Sequence, residues 1–583
     1  MKRVCLFLQY NKKATVLLTV FFVIDIIYLS NTSANVPIMD YWRYGKDFLY
    51  DIFNGGIVFN DLWESINGQR AFLTYLLYFI NVYFFHWNTR IAVFLGSFVT
   101  YVTGLFLINI LSNVGTVKNS KFNSVMKYVT IIAVSMTLFS YVQWEIKIIE
   151  FSAVFSINVF FVILNMWMAD KILCNLNDGI ESVIRFTLML SFSICFVFSA
   201  FFPAVVGAIC ICGAHNFIVN YKKDRLKYIR AYLIVGAGIL ISAMIYLNGI
   251  NGVADGDNNL LTFGKYISNG DFLKGIAIYL GSSILHISII TKYGYTLTAF
   301  VGCVLGFIYI LAICIQIKNR NSSKSYFPVM LILYTFLVGI LLSYGRGSVF
   351  DVTYMSSSRY AFQSKLGVIG TLIVFYNNLD VKIEKFRLKW KYLTNIVVSI
   401  SLMVVLLFSQ KAEFHISPYR RATYETLIQY MYDIRNISDE QLISFQAGDP
   451  SYVRQTVDYM KKYHLGVFWA IDNSLSEETK VYDQYKDEWM GQNNQFYIRT
   501  GDEGKIDIEI YCPLNDLNNK EISIYINDIL TDTVKIEEIN QLFVVDAEPN
   551  QIVTLTLYTN FAQSDAGENR KDLTTIISSI QGK

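Results

Sequence analysis

The chain has 583 residues, of which 54% are hydrophobic, 16% aromatic and only 16% charged, against about 25% charged in soluble domains. A mean hydropathy of +0.38 excludes an ordinary soluble enzyme, and the formal net charge of +3 says less than where the charges sit.

The apolar excess is concentrated in residues 1–410. Lys2, Arg3, Lys12 and Lys13 precede a first apolar run, as in a signal peptide, and small residues follow near Ser33 and Ala34. The many later runs favour an uncleaved first span instead. A bilayer crossing takes about 20 mainly apolar residues, and lipid tolerates no unpaired backbone, so each run is expected to be a helix. Spans are predicted near 14–31, 90–112, 128–144, 152–170, 184–200, 204–220, 231–248, 295–317, 327–344, 361–378 and 392–409, about eleven in all. Few charges fall within them, Asp25 being one. The stretches 71–86 and 272–290, the second broken by Gly281-Ser-Ser283, read as interfacial or re-entrant helices.

Basic residues cluster in alternate connections, notably Lys222, Lys223, Arg225, Lys227 and Arg230, and again Lys382, Lys385, Arg387, Lys389 and Lys391. The positive-inside bias then puts the N-terminus inside and the C-terminal region outside. The first outer loop, 32–89, is too long for a mere connector. Tyr41, Tyr44 and Phe48 repeat at helical spacing there, and a second helix is expected to carry Trp63, Glu64, Gln69 and Arg70 into the aromatic run Tyr75, Tyr78, Phe79. Residues 411–583 read as a soluble outer α+β domain, helical over 411–475 and β-rich over 480–565. Lys505–Tyr511, Glu521–Ile526 and Ile552–Tyr558 alternate with period two, which suggests a small β-sandwich.

Asp40, beside the first span among aromatics, is the leading catalytic candidate. Its carboxylate could take a proton from an attacking hydroxyl, or cap the helix that starts at Tyr41. Arg346 and Arg359 fall in one short outer loop, against the positive-inside bias, which points to an anionic partner such as phosphate; the alternative is pairing with Asp351 or acidic lipid. Trp144 and Glu145 offer a stacking face and a carboxylate, or an interfacial tryptophan that needs no ligand. Glu64 and Arg70 are site candidates or a local helical pair. Asp255-Gly-Asp257 reads as a turn, the eight cysteines give no disulfide framework, and the five histidines show no ligand spacing. No phosphate-binding loop, dinucleotide fingerprint or nucleic-acid motif is present.

Asp40 with Trp42 and Arg43, Gln69-Arg70, Trp87-Asn-Thr-Arg90, Ser140-Tyr-Val-Gln-Trp-Glu145, and Gly345-Arg346 with Ser357-Ser358-Arg359-Tyr360 together resemble the GT-C class of membrane glycosyltransferases. The resemblance is to its bacterial surface-polysaccharide members, including O-antigen serotype-converting glucosyltransferases, and Gln69 departs from it where a histidine is expected. It implies a polyprenyl-phosphate sugar donor, a glycan acceptor and transfer with inversion on the outer side of a bacterial inner membrane; the sequence indicates no cofactor and leaves a divalent metal open. Asp40 would be the general base, with Arg346, Arg359, Arg70 and Arg90 toward the donor phosphate. Trp42, Arg43, Glu64, Trp144, Glu145 and Tyr360 would line the sugar and acceptor. A lipid-linked oligosaccharide polymerase, ligase or flippase remains the alternative; a flippase would place ionisable residues inside the spans.

Overall fold

A computed structural model describes residues 11–66, 68–114, 121–174, 179–220, 225–250, 260–318, 325–377, 385–469, 480–484, 489–513, 517–565 and 570–583. The basic residues Lys2, Arg3, Lys222, Lys223 and Lys382 and the Asp255–Asp257 turn lie outside them. The chain divides into two units, one of Met1–Ala34, Val58–Ile80 and Arg90–Arg421, the other of Asn35–Ile57, Asn81–Thr89 and Ala422–Lys583. The division differs from the sequence reading in two ways. Much of the first outer loop belongs with the C-terminal region, and the break falls inside a helix that runs on past residue 410, through Pro418, to Tyr432.

The first unit is helical. Its long helices are α1 (Lys12–Thr32), α2 (Thr89–Val114), α3 (Lys121–Leu138), α4 (Phe151–Cys174), α5 (Ile180–Phe196), α6 (Phe202–Asn220), α7 (Arg225–Leu247), α8 (Tyr295–Lys318), α9 (Phe327–Leu342), α10 (Ala361–Asn377) and α11 (Lys385–Tyr432). Each coincides with an expected apolar run. Among the described residues, nine helices are long and apolar enough to cross a membrane; α5 and α10, at 17 residues each, are shorter. This is a multi-pass membrane protein. Short connections make successive helices antiparallel, so segments 139–150, 197–201, 260–294 and 343–360 gather at one end of the bundle.

Two local readings change. Residues 59–70 form a one-turn helix (Phe59–Leu62) and a two-residue hairpin, Ser65–Ile66 against Gln69–Arg70, rather than one continuous helix. Gly68 takes the left-handed conformation that closes the turn. The 272–290 stretch splits into Asp271–Gly281 and Ile287–Tyr293 around Ser282–His286. The first of these packs on α8 backbone to backbone: a methyl on Gly302 would strike the Ala277 carbonyl, and one on Gly281 the Thr298 carbonyl. Small residues permit such approach where lipid supplies no hydrophobic drive between helices.

In the second unit, the helix Tyr41–Asn54 packs on the helix Pro450–Lys462. Thr456 Oγ1 donates to the Trp42 carbonyl at 2.8 Å, and Gly45 leaves room for the Thr456 side chain. Beyond it lie β1 (Lys480–Gln484), β2 (Met490–Arg499), β3 (Lys505–Tyr511), β4 (Glu521–Ile526), β5 (Ile529–Lys535), β6 (Asn540–Asp546), β7 (Ile552–Thr559) and β8 (Ile576–Gly582). Among the described residues they form antiparallel sheets ordered β1-β2-β7-β4-β5 and β8-β3-β6. The alternation read from the sequence puts Ile506, Ile508 and Ile510 of one sheet and Ile522, Ile524, Leu555 and Leu557 of the other into one buried core. Asn527 and Asp528, both at positive φ, make the two-residue turn between β4 and β5.

Candidate functional site

The helical unit concentrates its charged side chains on the stretch between α3 and α4. Ser140 Oγ accepts from Val142 N at 3.3 Å and starts a tight turn, Tyr141–Gln143, followed by one helical turn, Trp144–Lys147. Sharp local winding points successive side chains in different directions, and each meets a partner from another part of the same unit. The Tyr141 ring lies 4.1 Å from that of Tyr28 on α1. Gln143 Oε1 accepts from Lys365 Nζ of α10 at 2.9 Å. The Trp144 ring is covered by the Arg420 guanidinium at 3.1 Å. Glu145 accepts from Arg359 Nη2 at 2.9 Å and Ser358 Oγ at 2.7 Å. Lys147 donates to Asp25, which also accepts from Ser97 Oγ at 2.6 Å.

A second buried carboxylate lies alongside. Glu413 accepts from Tyr28 Oη at 2.6 Å, from His286 Nε2 at 2.8 Å, and from Arg420 Nε and Nη2 at 2.6 and 2.7 Å. The Ser288 backbone N–H reaches His286 Nδ1 at 3.3 Å and can only donate, so Nδ1 accepts and Nε2 carries the proton given to Glu413. Asp25, Lys147, Lys365, Glu413 and His286 are all buried. Unpaired, any of these charges would cost several kcal/mol. With Arg420, the network holds three cations against two carboxylates, and Lys365 has no carboxylate of its own among its hydrogen bonds. The sequence singled out Asp25 alone. Lys147 and Glu413 sit at or beyond expected span ends, and the His286–Glu413 pairing is too distant in sequence for spacing to show.

Arg346 and Arg359 lie in one loop, and both charges act on Tyr360. Burial and the neighbouring Tyr354 push the Tyr360 hydroxyl above its ordinary value, while Arg359 and Arg346 both pull it back. Burial also works against the Arg359 charge, but Glu145 with Tyr354 and Tyr360 more than offsets it, so the guanidinium is held more firmly charged than usual. Arg359 pairs with Glu145 rather than Asp351, whose Oδ2 accepts from Thr353. Arg346 is half-buried beside Phe350, and no carboxylate among the described residues pairs with it.

The other candidates are placed differently. Arg70 is buried, lies over Trp63 at 4.6 Å, and gives its guanidinium hydrogens to the carbonyls of Trp63, Tyr246 and Asn248; it straps the hairpin to the end of α7 instead of pairing with Glu64, which is exposed. Arg90 reaches the Ser30 carbonyl at 3.4 Å and lies beside Phe94. In the second unit, Trp42 is fully buried with its ring edge-on to Phe445, so it presents no face to a sugar. Arg43 pairs with Asp47 one turn on, at 3.6 Å. Asp40 is partly buried and stands at the N-cap of the helix Tyr41–Asn54, as the cap reading expects, but without a side-chain capping bond; its backbone carbonyl accepts from Tyr44 at 3.0 Å. Among the described residues, no three His, Cys, Asp or Glu side chains group to hold a metal ion. Compared with protein-family models, curated proteins and solved structures, the chain matches none.

Proposed function

We propose that this chain is a membrane glycosyltransferase that moves a sugar, a hexose such as glucose, from a polyprenyl-phosphate donor to a surface glycan. The observation that carries the reading is a single loop, 343–360, that holds two guanidinium groups, Arg346 and Arg359, whose charges both act on Tyr360, with no carboxylate among the described residues pairing with Arg346. Fixed guanidinium groups at the end of a membrane bundle suit a lipid-borne phosphate, because Arg forms paired hydrogen bonds to its oxygens. Asp40 is the proposed base. It takes the acceptor hydroxyl's proton as that oxygen displaces polyprenyl phosphate with inversion. The resemblance argues for a bacterial inner membrane, and the basic clusters for an N-terminus in the cytoplasm and a C-terminal unit outside.

The test is direct transfer. Purified full-length protein with a polyprenyl-phosphate hexose and a glycan acceptor should lengthen the glycan. Asp40→Asn should bind donor and transfer nothing, while Arg346→Ala and Arg359→Ala should bind donor weakly. Normal transfer by Asp40→Asn would remove the base from this reading.

One observation favours the flippase alternative. The Asp25–Lys147–Lys365 and Glu413–His286–Arg420 groups put ionisable residues inside the bundle, where they commonly mark transport or proton pathways. Protein reconstituted in vesicles, with lipid-linked sugar in one leaflet, separates the two: movement across the bilayer without acceptor supports a flippase.

A further inference from the structure

The two sheets of the second unit end in β1 and β5 on one side and in β8 and β6 on the other. A bare strand edge invites pairing with another chain, and proteins guard such edges with bulges, prolines or charges. The pairing of β1 with β2 breaks register between Tyr482 and Gln484, that of β8 with β3 between Ile577 and Ser579, and that of β5 with β4 between Ile524 and Tyr525. The strand β5 also carries Asp532 and Lys535. By contrast, β6 pairs with β3 in unbroken register from Asn540 to Asp546, and it holds no proline and no lysine.

Register fixes where the β6 backbone points. The Ala547 N–H donates to the Gly504 carbonyl at 2.7 Å, and the Cys512 N–H to the Ile539 carbonyl at 2.7 Å. Bonding alternates along an antiparallel ladder. Gln541, Phe543 and Val545 therefore bond to β3, while the N–H and C=O groups of Asn540, Leu542, Val544 and Asp546 point away from it. No strand among the described residues pairs on that side. The side chains alternate in step: Phe543 and Val545 enter the core, and Leu542 and Val544 are 61% and 50% exposed. An apolar pair thus stands outside, beside a row of open backbone groups.

We infer that β6 is a docking edge for a second copy of this chain. That copy adds its own β6 antiparallel, about a twofold axis at Phe543, and the two three-stranded sheets become one. In this register Leu542 lies opposite Val544 of the second copy, and Asn540 opposite Asp546 of the second copy. Every outward N–H and C=O of the strand then has a partner, and a shift to either side leaves some bare. Charge selects the same arrangement. Asp546 is the only charged residue of β6. Antiparallel pairing sets the two aspartates at opposite ends, whereas parallel pairing in register would set them side by side, and like charges directly opposite destabilise a sheet. The neighbouring acids on this face have local partners: Lys583 pairs with Asp507, and Ser579 Oγ donates to Glu509 at 3.2 Å. A strand that complements itself in backbone, side chains and charge suits the self-matching contact of a twofold dimer. This interface is independent of the glycosyltransferase reading.

The experiment measures the mass of the full-length protein in mild detergent over a dilution series, by light scattering with bound detergent subtracted. The parent protein should be a dimer. Leu542→Lys brings a charge into the pairing, and Val544→Pro removes an N–H that β3 does not use; each should weaken dimerisation about tenfold or more. Leu542→Lys alters an exposed side chain, so it keeps the test alive if Val544→Pro does not fold. Register is read by cysteine pairing. A mixture of Leu542→Cys and Val544→Cys copies should form a disulfide-linked dimer under mild oxidation, and each variant alone far less, because positions directly opposite come within disulfide reach. A monomeric parent, which would leave the edge to a different protein, overturns the proposal. So does a dimer indifferent to Leu542→Lys, or linkage as ready in each cysteine variant alone as in the mixture.

Discussion

Arg420 covers the ring of Trp144 at 3.1 Å while holding both oxygens of Glu413, so a residue far along the chain fixes the turn that leads into α4. A cation over an indole, partly shielded from water, stabilises by about 1–2 kcal/mol. Trp144→Leu should therefore lower the thermal stability of ligand-free protein in detergent by that amount, and Trp144→Phe by less. A tryptophan that served only to stack on a sugar would show no such change without ligand.

The Asp25–Lys147 pair makes a stronger demand. Both side chains are almost fully buried, and removing one partner leaves the other charge uncompensated. Asp25→Asn should destabilise by about 3–5 kcal/mol. Asp25→Asn combined with Lys147→Met should recover much of the loss, because no charge is then stranded at that position. Thermal unfolding of the two variants checks it, and equal stability of single and double variants would show that the pairing contributes little.

Glycines separate packing from space. Gly302→Ala forces the helix Asp271–Gly281 away from α8, a clash of backbone rather than of side-chain tips. A cost of about 1–3 kcal/mol or more is expected. Gly236→Ala, which meets open space, should be neutral or slightly stabilising. Unfolding measured side by side decides it.

The helices were legible because a bilayer imposes a length and an apolar character that few residues can disguise. The strands β3, β4 and β7 were legible by their alternation. β5 and β6 were not: Ile529, Leu530, Leu542 and Val544 face outward, so apolar side chains fall on both faces and the period is lost. The hairpin at 65–70 was missed because Trp63 and Arg70 suit a helix face equally well, and only Gly68 signals the turn. At the candidate site, the motif Ser140–Glu145 stands out in the sequence, but its partners do not. Arg359, Lys365, Arg420 and Asp25 reach it from four other segments, and single-sequence spacing holds no record of such meetings. The burial of Trp42 is hidden for a related reason: an aromatic beside a span reads the same whether it faces solvent or a neighbouring helix.

The loop carrying Arg359 gives the sharpest test, because charge and pH pull apart there. Its guanidinium has a raised pKa, so its contribution is complete below the ordinary arginine value and is lost only above the still higher folded one; nothing in Arg359 titrates between pH 6 and 9. A polyprenyl monophosphate, the expected product, gains its second charge near pH 6, whereas the sugar-linked donor is a diester without that step. Product affinity should therefore rise through about pH 6 and level off, while donor affinity stays flat. In the proposed reading, Glu145, paired with Arg359, would compete with the ligand for it. Glu145→Gln should thus tighten phosphate binding, and Arg359→Ala should weaken it about 10- to 100-fold, the worth of one charged hydrogen bond of 1.5–3 kcal/mol. Weaker binding in Glu145→Gln would mean that the carboxylate holds the ligand itself, which would move Glu145 from a counter-charge to a contact.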